Sequence, residues 1–234
     1  MKKENWVVFV PFYLLVVILL IGVAVLGSRM VTTSGEYLED IGRRTIVIDA
    51  GHGGVDGGAT SCSGVLESQR NLEIALRLED LLRLLGVDTV MIRRTDVSVY
   101  TSGETIAAKK VSDLKERVRI VKETRNPVLV SIHQNYFQDG RYSGAQVFYG
   151  PQKGSKALAS NLQEKFVAIL NPGSRRACKA ADGVYLMQHL TCPGVLIECG
   201  FLSNPKEDAL LGTAEYQKRI CCVIASALSE LSGT

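Results

Sequence analysis

The feature that most constrains the fold of this 234-residue chain is a strand, a helix and a second strand in succession. Residues 45–49 are apolar in their middle, as is typical of a strand covered on both faces. Residues 66–85 carry a broad apolar helical face ended by Gly86, and residues 87–93 resemble a second strand. Strands joined through a helix lie parallel, so we expect an α/β sandwich with a mainly parallel twisted sheet flanked by helices.

The rest of the chain continues this alternation without an internal repeat, which predicts a single domain over residues 45–234. Residues 96–111 lack periodicity and are rich in small polar residues, which indicates a loop long enough to form a substrate lip or an activator contact. The further elements that we expect are helices at 113–123, 155–170 and 215–231 and strands at 128–133, 146–149, 184–187 and 195–198.

The N-terminal region has the pattern of a membrane segment. Residues 6–26 contain no charged side chain and are about as long as a helix that crosses a bilayer. Lys2 and Lys3 precede them, which places the N-terminus in the cytoplasm and the remainder outside. We therefore expect a signal-anchor at 1–30, a polar linker at 31–44 and an exported domain. A cleaved signal peptide, giving a secreted protein, is the alternative.

Charge and cysteine content exclude some classes of function. The formal net charge is +3, without a dense basic stripe, so we expect no nucleic-acid partner. The six cysteines of an exported domain invite a disulfide interpretation. However, they follow no regular framework, and the domain is large enough to fold without such bonds, so we expect mostly free thiols.

Three predicted strands lead into residues that bind metals or transfer protons. His52 follows the first strand across a glycine turn, and His133 and Glu198 end two later strands. The carboxyl ends of parallel strands meet at one edge of a sheet, where open α/β folds bind ligands. Glu67 lies where the loop after His52 enters its helix, so it can return to that edge. Two imidazoles and one carboxylate suit zinc with a fourth position open to water, and a second carboxylate can carry the water proton to a leaving amine.

These residues also have structural explanations. A histidine at a strand end is commonly packed or hydrogen-bonded, and Glu67 could serve only to stabilise the first turn of a helix. Asp49 and Asp56 are alternative ligands, whereas we expect His189 at the surface or in packing. Glu198 follows three apolar residues, and a buried carboxylate needs a metal, a cation or a proton.

Motif comparison narrows the chemistry. The glycine run matches neither a dinucleotide nor a phosphate-binding loop, and the chain has no His-Glu-x-x-His helix. The residues alone therefore indicate an exported metallohydrolase.

Four sequence blocks resemble the zinc-dependent N-acetylmuramoyl-L-alanine amidases of bacterial cell walls. They are Ile-Asp-Ala-Gly-His-Gly-Gly (48–54), Gly-Val-Leu-Glu (64–67), Ser-Ile-His-Gln-Asn (131–135) and a block from Pro193 through Gly-Phe-Leu-Ser-Asn. The resemblance implies that His52, Glu67 and His133 bind Zn²⁺ and that Glu198 is the general base.

Within this family the chain resembles the germination-specific branch, on the basis of Ser-Gly-Ala-Gln-Val-Phe-Tyr (143–149) and Gly-Val-Tyr-Leu-Met-Gln (183–188). That branch removes the peptide from muramic acid in spore cortex, the step before muramic-δ-lactam formation. The chain departs from the family at Ala50, usually proline, and at Ser68 and Gln69, usually Lys-Asp. The second change removes an acidic neighbour that could orient a ligand or the substrate. The resemblance therefore does not settle which groups surround the ligands.

We therefore expect a membrane-anchored zinc amidase that cleaves between N-acetylmuramic acid and L-alanine, with peptidoglycan as its partner and an unidentified protein activator as a further one. Arg93 and Arg117 are either contacts for substrate carboxylates or structural ion pairs. The rival functions are a zinc peptidase cutting within the stem peptide and a non-catalytic peptidoglycan-binding membrane protein.

Overall fold

A computed structural model describes residues 44–231 of the chain. The predicted membrane segment at 1–30, and the linker as far as residue 43, lie outside these described residues. Among residues 44–231, no helix combines the length and the apolar character needed to cross a bilayer.

Strands and helices alternate along most of the described chain. The strands are β1 (Thr45–Ala50), β2 (Thr89–Met91), β3 (Pro127–Asn135), β4 (Gln146–Tyr149), β5 (Lys179–Ala180) and β6 (Gly194–Phe201). The helices are α1 (Glu67–Leu84), α2 (Ile106–Glu123), α3 (Ser155–Ile169), α4 (Tyr185–Gln188), α5 (Pro205–Leu211) and α6 (Ala214–Ser229).

The strands form one sheet in the order β2-β1-β3-β6-β4-β5. Neighbours from β2 to β6 are parallel, whereas β4 runs antiparallel to β6 and parallel to β5. The prediction of an α/β fold is confirmed, but the sheet is mixed. The reason is the connection between β3 and β4, which contains no helix. A parallel return requires a crossover, so β4 begins at the edge where β3 ends and runs back.

Helices cover both faces of the sheet. On one face α1, α3 and α6 enclose a core that includes Ile48, Val130 and Ile197. On the other face α2 and α4 cover a smaller core that includes Val47 and Leu129. Side chains alternate between the faces of a strand. The polar residues near the carboxyl ends of the strands, namely Asp49, Ser131, His133 and Glu198, therefore share the α2/α4 face.

Several local predictions were wrong. Helix α2 begins at Ile106, capped by Thr105 (Ala108 N to Thr105 Oγ1, 3.2 Å), so the loop predicted at 96–111 ends earlier. Its first turns expose their apolar residues and therefore carry no amphipathic signal. The strand predicted at 184–187 is the short helix α4, because a four-residue apolar run does not distinguish the two. Strand β5 and helix α5 were not predicted.

Candidate metal centre

The glycine turn after β1 makes room for a histidine from another strand. Gly51 N donates to Ile132 O on β3 (3.0 Å), which holds the two chains close together. A Cβ on Gly51 would lie 2.2 Å from Cε1 and Nε2 of His133. His52 has φ 61°, a left-handed conformation that costs a non-glycine residue about 1–2 kcal/mol. Such strain is typical of positions where function fixes the backbone.

Two buried arginines hold this turn by its carbonyl groups. Arg93 donates to Ala50 O (2.8 Å) and Gly51 O (2.9 Å), and Arg117 donates to His52 O (2.8 Å). Arg117 also forms an ion pair with Asp49, and each arginine is only 3 % exposed. The structure therefore supports a role for both arginines in stabilising the fold rather than in binding substrate carboxylates.

His52, Glu67 and His133 come together at the edge of the sheet. His52 Nε2 lies 3.3 Å from Glu67 Oε1, and His133 Nδ1 lies 3.1 Å from the same oxygen. One possible ligand atom from each residue lies within 4.8 Å of the others. Two nitrogens and one carboxylate oxygen at this separation fit the donor set of a catalytic zinc site.

Hydrogen bonds keep the Glu67 carboxylate charged. Besides the histidines, Gln134 N (3.1 Å) and Asn71 Nδ2 (3.3 Å) donate to Oε1, and Ala59 N (3.0 Å) donates to Oε2. Burial alone would raise the pKa of Glu67, but the hydrogen bonds and charges of the two histidines outweigh burial and leave this pKa far below its usual range. The group therefore presents an ionised carboxylate to a cation.

Asp56 fixes the orientation of the His52 ring. His52 Nδ1 donates to Asp56 Oδ2 (3.0 Å), and Lys110 Nζ lies 3.2 Å from the other oxygen, Oδ1. Burial lowers the pKa of His52, but Glu67 and Asp56 together raise it above its ordinary value. With Nδ1 committed to a carboxylate, Nε2 is the nitrogen directed at Glu67, an arrangement common among metal-binding histidines.

The alternative ligands lie outside this group. Asp49 accepts from Ser131 Oγ (2.6 Å) as well as from Arg117, and Asp56 is occupied by His52 and Lys110.

Glu198 lies beside His133 in the register between β3 and β6. Its Oε2 atom is buried and has no hydrogen-bond partner among the described residues. Burial, together with the charge of Glu67, outweighs the opposing effect of the two histidines and raises the pKa of Glu198 to about 7. A carboxyl with this pKa can both accept and release a proton near neutral pH.

A cavity of about 260 Å³ opens beside the two imidazoles. Leu114, Leu186 and Leu196 form part of its wall. Lys109 and Lys110 also line it, and the Lys109 ammonium lies 5.1 Å from the centre of the Tyr100 ring. Part of a substrate can therefore lie against apolar side chains and cations while another part reaches the histidines.

The remaining candidates have structural surroundings. His189 is exposed, its Nδ1 lies 2.8 Å from Tyr185 O and its ring stacks on Tyr185, as expected for packing. The six cysteines are free thiols in the structure. Ser68, one of the two departures from the family, is buried. Its backbone carbonyl accepts a hydrogen bond from Arg93 (2.8 Å), the arginine that also holds the glycine turn.

Sequence reasoning missed the residues that support the candidate ligands. Asn71 lies one helical turn after Glu67 and connects it to Gln134 Nε2 (3.2 Å). A polar residue four positions after a candidate ligand on an apolar helix face was the available signal. Nothing in the sequence links Lys110 to Asp56, since that contact depends on where α2 begins.

Comparison with known proteins shows which proteins this chain is similar to. Residues 46–230 match the family described as N-acetylmuramoyl-L-alanine amidase. The chain is 38% identical over 183 residues to the germination-specific N-acetylmuramoyl-L-alanine amidase of Bacillus subtilis, covering 77% of this chain and 76% of the relative.

Two solved structures have a similar fold. The CwlD amidase of Clostridioides difficile, in complex with the GerS lipoprotein, superposes with a TM-score of 0.76 at 37% identity over 80% of this chain and 97% of that one. The catalytic domain of the amidase CwlV from Bacillus (Paenibacillus) polymyxa var. colistinus gives 0.67 at 31% identity, over 80% and 97% of the two chains.

Proposed function

Because this chain belongs to the N-acetylmuramoyl-L-alanine amidase family, it is an amidase of peptidoglycan, and we propose that it acts with zinc on spore cortex. The scissile bond is the amide between the lactyl group of N-acetylmuramic acid and L-alanine. In cortex, its cleavage is the step before muramic-δ-lactam formation.

The observation that carries the zinc proposal is the convergence of His52, Glu67 and His133 beside Glu198, whose Oε2 atom has no hydrogen-bond partner within residues 44–231. The three converged residues are the proposed ligands. Zinc held by three protein ligands supplies a Lewis acid that polarises a carbonyl and acidifies water. The ionised Glu67 and the His52 ring oriented by Asp56 suit this role.

Glu198 is the proposed proton carrier. Its carboxylate takes a proton from the water whose oxygen adds to the scissile carbonyl carbon. As the carbon–nitrogen bond breaks, Glu198 returns the proton to the amine of L-alanine, and the new carboxylic acid gives up the second water proton, so that a carboxylate and an ammonium group leave. A pKa near 7 suits both transfers, because neither protonation state is strongly favoured.

The proposal extends to location and partners. The uncharged segment at residues 6–26 supports an exported domain anchored in the cell membrane. The germination-specific relative in Bacillus subtilis supports a role in spore cortex. Because the CwlD structure contains a lipoprotein, a protein partner is proposed here as well.

The test combines zinc content with product analysis on the full-length chain. We expect about one zinc per chain, and mass spectrometry of digested peptidoglycan should find free L-alanine amino termini. New termini within the stem peptide would identify a peptidase instead. Zinc binding without hydrolysis would identify a binding protein.

A matched pair of variants tests the proton carrier. Glu198→Gln should retain zinc and lose activity by about 10²–10⁴-fold, whereas the exposed Glu164→Gln should behave as the unmodified chain. Full turnover in Glu198→Gln would show that the base has been wrongly assigned.

A further inference from the structure

Three large aromatic side chains lie half exposed on the loop after β3, and two of them, Phe137 and Tyr142, contact each other. Phe137 is 53% exposed and Tyr142 is 47% exposed. Their rings meet edge to face with centroids 4.9 Å apart, and Tyr142 stacks on Phe201 at 6.2 Å and 27°. We name Phe137 and Tyr142 the aromatic shelf, which packs on the buried Phe201 (4% exposed). Exposed apolar surface of this kind marks interaction sites.

The shelf is held in place by the segment that follows Glu198. Phe137 N donates to Ser203 Oγ (3.1 Å), and Asn204 Nδ2 donates to Gly140 O (2.9 Å) and Tyr142 O (3.2 Å). Gly144 N donates to the buried Glu207 (2.8 Å). The Ser-Asn pair that ends the fourth family block thus fixes this loop. These hydrogen bonds therefore hold the backbone of Phe137 and Tyr142 in a defined position.

The position of the shelf relates it to the reaction. Phe137 follows His133 by four residues, which span at most about 14 Å. Phe201 lies on β6, the strand that carries Glu198. In the substrate, the muramic acid ring is joined through its lactyl ether within three bonds of the scissile carbonyl. Neighbouring sugars of the strand must therefore pass over the surface next to the metal centre.

The cavity beside the imidazoles and the aromatic shelf differ in chemistry. The cavity carries Lys109, and Lys110 paired with Asp56 (3.2 Å), and the Lys109 ammonium suits a carboxylate of a stem peptide. On the shelf side, exposed Arg141 is paired with Asp139 (2.7 Å), Arg176 lies over the buried Phe201 ring (5.1 Å to its centroid), and the exposed rings are those of Phe137 and Tyr142. Ring faces carry partial negative charge and attract the C–H groups of a flat apolar ligand. A pyranose presents such a face, whereas a charged peptide does not.

We propose that the aromatic shelf binds the sugars next to the reacting muramic acid, so that the enzyme holds a glycan strand rather than an isolated muramoyl peptide. This proposal rests on the proposed function. It adds which part of the substrate lies on which side of the metal centre.

Binding to peptide-free peptidoglycan glycan strands provides a test that does not depend on hydrolysis, because these strands lack the scissile amide. For the full-length chain, Phe137→Ala and Tyr142→Ala should each weaken binding about two- to tenfold. The control Leu84→Ala removes an 83% exposed side chain at the end of α1 and should leave binding unchanged.

Kinetics provides the second readout. Each alanine variant should raise KM for polymeric peptidoglycan by the same factor and leave kcat, and KM for a single-sugar muramoyl peptide, unchanged. Tyr142→Phe should retain binding because the ring remains. Phe137→Leu should lose glycan binding, because leucine is apolar but has no ring. Both variants keep most of the apolar volume of the original side chain, so they test the proposal even where the alanine variants fold poorly.

Unchanged glycan binding in folded Phe137→Ala and Tyr142→Ala would overturn the proposal, as would an equal rise in KM for both substrates. Loss of self-association without loss of glycan binding would reassign the shelf to contacts between copies of the chain. If glycan binding depends on the shelf but no L-alanine termini are released, the proposed function fails and the shelf assignment stands.

Discussion

Replacing Gly51 with alanine should remove zinc binding without straining the backbone. Gly51 does not have a positive φ, unlike Gly53 (φ 134°), so the only new element is a methyl group. That methyl would lie 2.2 Å from the His133 ring, whereas ordinary contact begins near 3.4 Å, so the ring must retreat by about 1.2 Å. Metal–ligand distances tolerate about 0.2 Å. His133 is therefore lost as a ligand.

The expected loss exceeds that from changing a supporting residue, which is about 10–100-fold in metal affinity. We therefore expect Gly51→Ala to weaken zinc binding by about 100-fold or more and to lower turnover at least as far. Overpacking should also lower the free energy of unfolding by about 1–3 kcal/mol. Competition with a fluorescent chelator measures the affinity, and urea denaturation measures the stability.

Gly64→Ala is the matched control. Gly64 has φ 82° and nothing lies within 4 Å of its added methyl, so alanine there introduces strain of about 1–2 kcal/mol without a clash. It should lose stability and keep its zinc affinity. If Gly51→Ala binds zinc as tightly as Gly64→Ala, the space beside Gly51 does not position His133, and the reasoning is refuted.

Two further predictions concern carboxylates. Asp56→Asn replaces the partner of His52 Nδ1 and should weaken zinc binding about 10–100-fold, measured by chelator competition; unchanged affinity would show that the ring needs no such support. Burial raises the pKa of Asp49, but Arg117, then His133 and Ser131, outweigh burial and hold this pKa below its usual range. The stabilisation by the Asp49 carboxylate is therefore complete above about pH 4 and is lost as the pH falls through the folded-state pKa. Asp49→Asn should therefore cost about 3 kcal/mol at pH 7 by urea denaturation, and a cost that stays constant down to pH 2 would contradict the assignment.

The edge that carries the site could be predicted because its strands are buried on both faces. Continuous apolar runs identify such strands, and the helix between β1 and β2 fixes their parallel direction. These two facts place His52, His133 and Glu198 at one edge before any coordinates are known. Glu67 was placed there by its position at the entry of α1, and the structure brings it to both histidines.

What could not be predicted depends on contacts between distant segments. The direction of β4 follows from the absence of a crossover helix, and the start of α2 follows from a cap at Thr105 rather than from an apolar face. Because α2 begins there, Lys110 reaches Asp56. The aromatic shelf was missed for a similar reason, since exposed rings in a loop have no periodicity and depend on Asn204 for their position.

Arg93 and Arg117 explain how the strained turn at His52 is stabilised. The left-handed backbone at His52 costs about 1–2 kcal/mol. Charge-assisted hydrogen bonds from Arg93 and Arg117 to the carbonyls of Ala50, Gly51 and His52 contribute about 1.5–3 kcal/mol each and offset it. A guanidinium presents several donors in a rigid plane, so one arginine can hold two successive carbonyls, which a lysine ammonium does less well. Contacts within the chain thus stabilise the turn, so the proposed zinc ion would not have to supply the free energy of ordering it, unlike in small domains that fold only with metal.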